Sequence, residues 1–361
     1  MASRRVFLTG TAALIGAGAL GYAFWPDLEE VTAAAHQQRR LLEGDPAMAD
    51  LVRLATLAAN GHNSQPWRFR LDTDRVSIHP DLTRRTEVVD PDDHHLYVSL
   101  GCAAENLVLT ASAHGRRSEV AIASDDETTI NVTLSPGPTH RSVLYQAIPH
   151  RQSTRSVYDG QPISTEDLAQ LTAASRQDGV EVLIFTEASD TEKILEFVVA
   201  GNSAQMDDPA FIAELAHWLR FSPDRAMALN DGLFSACSGN PIAPEWVGRQ
   251  LFRAFFTKDS ENDKYRDHIR SSAGIAVFVG AREDPESWIN VGRAFQRFAL
   301  QATALGIRNA HLNMPIEVPA IRPDFANAIG IPGRRPDLVV RFGRAPALPM
   351  SLRRPVTDLL I

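Results

Sequence analysis

Two polar runs of the sequence hold the residue types best suited to bind a ligand. The first, NGHNSQPWRF, covers residues 60–69 and combines amides and a hydroxyl with proline and tryptophan. The second, RQSTR, covers residues 151–155 and places two arginines around two hydroxyl side chains. Such groups donate hydrogen bonds and supply positive charge. We therefore predict that the two runs are parts of one site.

Composition limits the classes of protein to which this chain can belong. It has 361 residues, of which 44% are hydrophobic and 22% charged, as is ordinary for a globular protein. The net charge of −8 and the pI of about 5.8 argue against nucleic-acid binding, which needs a cationic surface. The two cysteines form no CxxC motif, and we predict no metal site.

The N-terminus resembles a targeting segment. Arg4 and Arg5 precede an apolar stretch that runs from residue 6 to 25. This pattern predicts a twin-arginine export signal over residues 1–25, and therefore a place in the periplasm or cell envelope. A Sec signal or a retained membrane anchor are the alternatives, because the stretch is just long enough to span a bilayer. The twin-arginine route carries folded proteins, often with a bound cofactor.

The remaining sequence alternates between helical and strand patterns. The run at residues 45–60 predicts a helix capped by Asp45 with Pro46 at its first position. Apolar residues at helical spacing before Gly115 predict a long helix that ends there. Alternating or continuous apolar runs predict strands at 67–71, 75–80, 118–123, 129–134, 180–185 and 273–281.

A repeat connects the two halves of the chain. When residues 100–115 are placed above 291–306, Gly101 meets Gly292 and Gly115 meets Gly306. The match predicts an internal duplication, although alanine and leucine fill the apolar faces of many unrelated helices. The predicted domains are a first half at 26–140 and a second at 141–361. Residues 205–255 in the second half are predicted to form a helical lid, with Trp218 or Trp246 either near the bound ligand or in the core.

Together, these motifs and the PIE run at residues 315–317 resemble the nitroreductase family of FMN-dependent oxidoreductases. The first half has the Asn-x-Gln-Pro-Trp run but no Arg-x-Ser-x-Arg run, and the second half has the reverse. This complementary loss resembles the Acg-type branch, in which one chain mimics the family dimer. The resemblance implies a duplicated α+β fold of three layers, a monomer, and one FMN between the two halves.

The resemblance also assigns roles to individual residues. It implies a phosphate site of arginines and a serine. It also implies a pyrimidine-edge contact from residues 60–65, here called the asparagine loop, and backbone amides near flavin N5 beside the PIE run. Arg354 is expected to be solvated, and Gln65 and Trp67 to be structural. No catalytic side chain is expected. The implied cofactor-binding residues are Arg151, Ser153, Arg155, Asn60, Gly61, Asn63, Pro315, Glu317 and Arg353.

Two functions fit the resemblance to the nitroreductase family. In the first, FMN carries electrons from a small-molecule donor to a quinone or nitroaromatic acceptor. In the second, the protein holds FMN under the lid without turnover. A hydrolase is disfavoured because the sequence has no Gly-x-Ser-x-Gly motif. The acidic and histidine residues at 90–95 are interpreted as a capped loop before the long helix rather than as a metal cluster.

Overall fold

The computed structural model describes residues 28–124 and 128–361. The predicted export signal therefore lies outside the described residues. The helices are α1 Leu28–Gln38, α2 Met48–Ala55, α3 His94–Ala113, α4 Val143–Ala147, α5 Thr165–Ala174, α6 Ala188–Met206, α7 Pro209–Trp218, α8 Pro223–Leu229, α9 Glu245–Phe255, α10 Lys258–Arg270, α11 Pro285–Ala304, α12 Met314–Glu317 and α13 Arg322–Ala328. The strands are β1 Trp67–Leu71, β2 Arg75–Pro80, β3 Arg116–Ser124, β4 Thr128–Pro136, β5 Val180–Phe185, β6 Leu219–Arg220, β7 Leu233–Phe234, β8 Gly274–Gly280, β9 Arg308–His311 and β10 Leu338–Gly343.

Two four-stranded antiparallel sheets repeat one topology. The first sheet has the order β1-β2-β4-β3, and the second has the order β5-β8-β10-β9. In each half, two strands precede a helix of 20 residues, α3 or α11, and two strands follow it. The predicted α+β class and the predicted duplication are confirmed by this repetition. The residue boundaries of the domains stay a prediction.

Strand β8 shows why the second half is layered. All seven of its residues are buried. Ala276 and Phe278 belong to the main core with α3 and α11, whereas Ile275 and Val277 belong to a second core with α6 and α13. A strand that is covered on both faces is apolar throughout, which is the pattern in the sequence.

The two long helices cross at the paired glycines. A Cβ atom added to Gly101 would lie 2.0 Å from the carbonyl oxygen of Ile289, and one added to Gly292 would lie 2.0 Å from that of Val98. Only glycine permits such a close approach of two backbones. Gly101 meets Ile289, one turn before Gly292, and Gly292 meets Val98, one turn before Gly101. The crossing is therefore symmetric between the halves.

Polar groups join the halves beside this crossing. The buried carboxylate of Glu105 pairs with Arg293 at 3.0 Å and with Arg297 at 2.9 Å. The amide of Gln296 donates to Asn106 Oδ1 at 2.8 Å. A buried carboxylate is stable only when cations and donors satisfy it, so these bonds fix how the two helices sit against each other.

The predicted helix ends are confirmed at two glycines and wrong at one cap. Gly115 and Gly306 follow the two long helices with φ of 71° and 70°, in the left-handed region that ends many helices. Asp45, however, does not cap α2, which begins at Met48. The carboxylate of Asp50 instead accepts the amide of Ala47 at 3.1 Å, while Asp45 pairs with an arginine of β3.

The second half contains a long helical insertion. Strands β1 and β2 are joined by a turn at residues 72–74, but the equivalent strands β5 and β8 are separated by α6–α10. Helices α7, α8 and α9 of this insertion fall within the predicted lid at 205–255. In the part of the chain described, α3 is long and apolar enough to cross a membrane, yet 83% of its most apolar window is buried inside the protein.

Candidate functional site

A small polar cavity lies where the two halves meet the C-terminal segment. It measures about 60 Å³, and Arg39, Arg151 and Arg353 line it. These side chains are only 5%, 3% and 4% exposed. No acidic residue is among the described residues that line the cavity. Three buried cations without a carboxylate favour an anionic ligand, because burial of unpaired charge is costly.

The Arg353 side chain is held by several hydrogen bonds within the protein. Its Nε donates to the carbonyl of Thr56 at 2.7 Å and its Nη2 to that of Ala58 at 3.2 Å. Its Nη1 donates to Asn63 Oδ1 at 2.8 Å. Arg353 therefore ties the C-terminal segment to the asparagine loop and adds its charge to the cavity, and each of its three side-chain nitrogens has a protein partner.

Arg39 and Arg151 keep spare donors. Arg151 donates through Nη2 to the Leu57 carbonyl at 3.1 Å, while its buried Nε and Nη1 have no partner. Arg39 donates to the carbonyls of Pro149 and Ser351 at 3.2 Å each, and its buried Nε has no partner. Buried donors are nearly always satisfied, so these three nitrogens indicate a ligand with several oxygen acceptors.

The electrostatics of the cavity agree with this. Burial, followed by repulsion from Arg151, lowers the pKa of Arg39 to about 9. Burial lowers the pKa of Arg151 to about 10. Burial and the charges of Arg39 and Arg151 also lower the pKa of Arg353. A bound anion would reverse these effects by neutralising the cluster.

Ser153 and Arg155 complete the second polar run. Ser153 lines the small cavity and is held by a backbone bridge to Asn309 of β9. Arg155 lines both the small cavity and a larger one next to it. Its guanidinium makes no hydrogen bond or ion pair with the residues of the described chain, and burial lowers its pKa. Arg155 is therefore free to contact a ligand that extends across both cavities.

The asparagine loop is rigid and strained. His62, Asn63 and Gln65 have φ of 50°, 52° and 54°, which are unusual for residues other than glycine. The Asn63 amide group donates to the carbonyls of Gly232 and Leu352 at 3.1 and 3.2 Å. The predicted contact of Asn63 with a pyrimidine edge stays a prediction. The bonds that the structure shows hold the loop against the insertion and the C-terminal segment.

The rest of the first polar run is structural, as predicted. Gln65 Nε2 donates to the carbonyl of Asn230 at 2.8 Å, and its Oε1 accepts the amide of Arg354 at 2.9 Å. Trp67 is fully buried in the main core. Arg354, expected to be solvated, is half-buried, and its guanidinium lies 3.9 Å from Asp81. That expectation was wrong because the loop pulls Arg354 inward through Gln65.

The larger cavity measures about 590 Å³, within the range of ligand sites. It shares Asn60, Arg155 and three further lining residues with the small cavity, so the two cavities are adjacent. Gly61 and Glu317 also line it. Eight of the nine predicted binding residues thus line one or both of these adjacent cavities, and the ninth, Pro315, is buried in α12.

The wall of the larger cavity contains an ion pair. His95 Nε2 lies 3.3 Å from Glu317 Oε1, and Gln205 donates to Glu317 Oε2 at 2.7 Å. Burial alone would lower the pKa of His95. Its hydrogen bond to Glu317 and the charge of Asp90 outweigh burial and raise that pKa. The ion pair with Glu317 therefore favours the protonated form of His95.

Two further histidines line the cavity in the neutral form. Burial lowers the pKa of His62 to about 4 and that of His311 to about 3. Both have a buried Nδ1 without a partner. These rings can accept or donate one hydrogen bond without bringing a charge into the cavity.

The backbone amides of α12 are committed within the turn. The amides of Ile316 and Glu317 donate to the Asn313 carbonyl at 2.9 Å each, and that of Val318 donates to Met314 at 3.3 Å. The predicted role of this segment beside flavin N5 stays a prediction. Any such contact would need these bonds to be shared or to lengthen.

The acidic and histidine cluster forms a capped loop, as predicted. Asp90 accepts the amides of His95 and Leu96 at 2.9 and 3.0 Å, so it caps the start of α3. His94 Nε2 bonds with Asp337 Oδ1 at 2.9 Å. Potential ligand atoms of Asp90, His94 and His95 lie within 4.8 Å of one another. Each of these side chains already has protein partners.

Neither lid tryptophan lines the cavity. Trp218 is buried, and its ring packs against the guanidinium groups of Arg84 and Arg220 at 5.4 and 6.0 Å. Trp246 is 73% exposed on the outer side of α9. Trp218 is thus a core residue, which was one of the two predicted alternatives. Phenylalanines of the insertion line the cavity instead.

The chain has relatives of similar length. No protein-family model matches it. It is 24% identical over 331 residues to "Putative NAD(P)H nitroreductase Rv3131" of Mycobacterium tuberculosis (strain ATCC 25618 / H37Rv), covering 86% of this chain and 90% of that protein. It is 23% identical over 328 residues to "Putative NAD(P)H nitroreductase acg" of the same strain, covering 85% and 93%.

The resemblance to the Acg-type nitroreductases is confirmed. Among solved structures, the FMN-dependent nitroreductase NfnB from Mycobacterium smegmatis in complex with NADPH aligns at 12% identity and a TM-score of 0.37, covering 56% of this chain and 87% of that chain.

The Acg-type motifs do not include several residues of the site. Arg39 follows α1 as one of two consecutive arginines, and nothing in its sequence context separates it from surface residues such as Arg40. His62, His95 and His311 come together only in the folded chain. The phenylalanines of the insertion gave a weak signal, since an apolar segment without strand rhythm suggested a lid.

The His95–Glu317 pair predicts a pH response. In histidine-labelled protein, NMR titration should place the pKa of His95 above its usual 6.5. The pair contributes stability below that value and loses it as pH rises through the folded pKa. In Glu317→Gln, burial should dominate and bring the His95 pKa below 6.5. Glu261→Gln, which alters another acid of the cavity, should leave it unchanged, and a wild-type His95 that titrates below 6.5 would contradict the assignment.

Proposed function

We propose that this protein binds FMN across the two adjacent cavities and acts as an oxidoreductase. The observation that carries the proposal is the cluster of buried guanidinium groups, with three unsatisfied nitrogens and no carboxylate, at the end of a cavity of about 590 Å³. The Acg-type relatives, which are named as NAD(P)H nitroreductases, support it.

The residues present fit the cofactor. The phosphate is a dianion and suits the spare donors of Arg39 and Arg151, with Ser153 beside them and Arg353 adding its charge. Arg155 is placed to bridge the phosphate cavity and the larger one. The larger cavity has the room and the mixed polar and apolar lining that a flavin ring needs.

The arrangement supports one FMN per chain and a monomer. The asparagine loop comes from the first half, while the second polar run and α12 come from the second. In the Acg-type reading, the two halves of one chain take the places of two subunits. The symmetric crossing of α3 and α11 supports that reading, because it joins equivalent surfaces of the two halves.

When bound, FMN supplies two-electron transfer between a donor such as NAD(P)H and an acceptor such as a quinone or nitroaromatic. The residues of the chain bind and orient the reactants. The insertion covers part of the larger cavity with apolar side chains, and a bound ligand would exclude water from the remainder. His95 is paired with Glu317 at the cavity wall, and no side chain is assigned as a catalytic group.

A second function is storage of FMN without turnover. One observation favours it: the amides of Ile316, Glu317 and Val318 are already bonded within their turn. The nitroreductase resemblance implies that these amides stabilise a reduced flavin. Because they are already bonded, they are less available for that role. The insertion over the cavity would serve this function as well.

The phosphate assignment can be tested with matched ligands. Arg39→Met should weaken FMN binding by about 10- to 100-fold, the usual value of a hydrogen bond to a charged group. It should leave the affinity for riboflavin unchanged, because riboflavin lacks the phosphate. The control Arg40→Met alters the exposed neighbour and should change neither. Calorimetric titration of cofactor-free protein measures both ligands, and equal losses for FMN and riboflavin would contradict the assignment.

An anaerobic titration separates the enzyme from the storage protein. The flavin absorbance of FMN-loaded protein should bleach on addition of NADH or NADPH and recover on addition of a quinone or nitroaromatic. If dithionite bleaches the flavin but nicotinamides do not, storage or a different donor is favoured. A chain that purifies without flavin and takes up none would refute both functions.

We also propose export by the twin-arginine route, with retention in the envelope through the apolar segment as the alternative. The support is the sequence of residues 4–25. Replacement of Arg4 and Arg5 by lysine should leave the protein in the cytoplasmic fraction of the expressing cells. An unchanged distribution would contradict the proposal. Export would also require a donor other than cytoplasmic NAD(P)H.

A further inference from the structure

The larger cavity reaches the surface between apolar side chains. Leu251 and Phe255 of α9 both line it, yet they are 44% and 70% exposed. Large apolar groups at the mouth of a cavity stand in water unless a ligand covers them. Trp246 of the same helix is 73% exposed but does not line the cavity, so exposure alone does not place a side chain at the mouth.

The apolar surface continues inward from this mouth. Phe252 and Phe256 follow along the chain, and Phe211 and Leu215 of α7 line the same space. The side chains that α7 and α9 place on the cavity are therefore apolar. The polar lining residues described above lie on other elements: the asparagine loop, the second polar run, α3, α6, α10, β9 and α12.

This division gives the cavity two chemically different walls. A small nitroaromatic or an unsubstituted quinone could use the polar end, where Arg155, His95 and Glu317 lie. It would leave the phenylalanines of the insertion in contact with water. Burial of that surface requires a ligand with an apolar extension.

Resting on the proposed function, we propose that the acceptor is amphiphilic: a quinone-type ring with a hydrocarbon tail. The ring lies at the polar end of the larger cavity. The tail follows the apolar wall of α7 and α9 and leaves between Leu251 and Phe255.

The experiment measures binding to oxidised, FMN-loaded protein without an electron donor. The ligands are 1,4-naphthoquinones with no tail, a short alkyl tail and longer alkyl tails. The affinity should rise by up to about four-fold per methylene that becomes buried, and then reach a plateau when the tail passes the mouth. An affinity that does not depend on the tail would overturn the proposal.

Variants of α9 locate the tail. Phe255→Ser and Leu251→Ser should reduce the gain from the tail and leave the affinity for the tailless ring unchanged. The control Trp246→Ser removes an equally exposed apolar side chain from the same helix and should preserve the gain. If Trp246→Ser lowers the gain as much as Phe255→Ser, the tail lies on the outer surface and the proposal is wrong.

A vesicle assay separates the ligand from a membrane. Binding to vesicles of anionic phospholipid, without quinone, should be equal for wild type and Phe255→Ser. Phe255-dependent vesicle binding with no tail dependence would identify the mouth as a lipid-docking surface and overturn the proposal. The binding series contains no electron donor, so it does not depend on turnover, which the anaerobic titration measures. Tail-dependent binding without turnover in that titration would refute only the enzyme. Turnover without tail-dependent binding would refute only this proposal.

Discussion

The close crossing of α3 and α11 is the constraint on which the site depends. Gly101 and Gly292 let the two backbones approach to a distance that no larger residue allows. The approach puts Glu105 within reach of two arginines and Gln296 within reach of Asn106. A looser crossing would separate the halves, and the asparagine loop would no longer face the second polar run.

The crossing connects to the ligand site through a short chain of hydrogen bonds. Gln296 Oε1 accepts the amide of Ala59 at 3.3 Å, next to the asparagine loop. Asn106 donates to the carbonyl of Leu54 at 3.1 Å, near the end of α2. On the opposite side, Arg353 holds the asparagine loop through its bonds to Thr56, Ala58 and Asn63. The strained left-handed residues persist because the surroundings hold them from both directions.

The sequence predicts what is local or periodic in this molecule and misses what is assembled. Strands and long helices follow from the spacing of apolar residues, and Gly115 and Gly306 mark the ends of the two long helices. The start of α2 was misplaced because Asp45 followed by Pro46 matches the usual pattern of a cap, whereas in the fold Asp45 pairs with Arg116 of β3. Eight of the nine predicted binding residues line the two adjacent cavities because the motifs are short runs of chain. Arg39 escaped prediction because only packing separates it from Arg40, and the histidines converge from three distant segments.

The helical insertion has a consequence for how such a chain can change. It joins two adjacent antiparallel strands, β5 and β8, whose counterparts are joined by a three-residue turn. The second sheet therefore does not need the insertion in order to close. In a two-fold dimer of identical subunits, any such addition would appear twice and would alter both faces at once. Within one duplicated chain it appears once, so the chamber can be resized on one side while the shared core and the anion-binding end stay fixed.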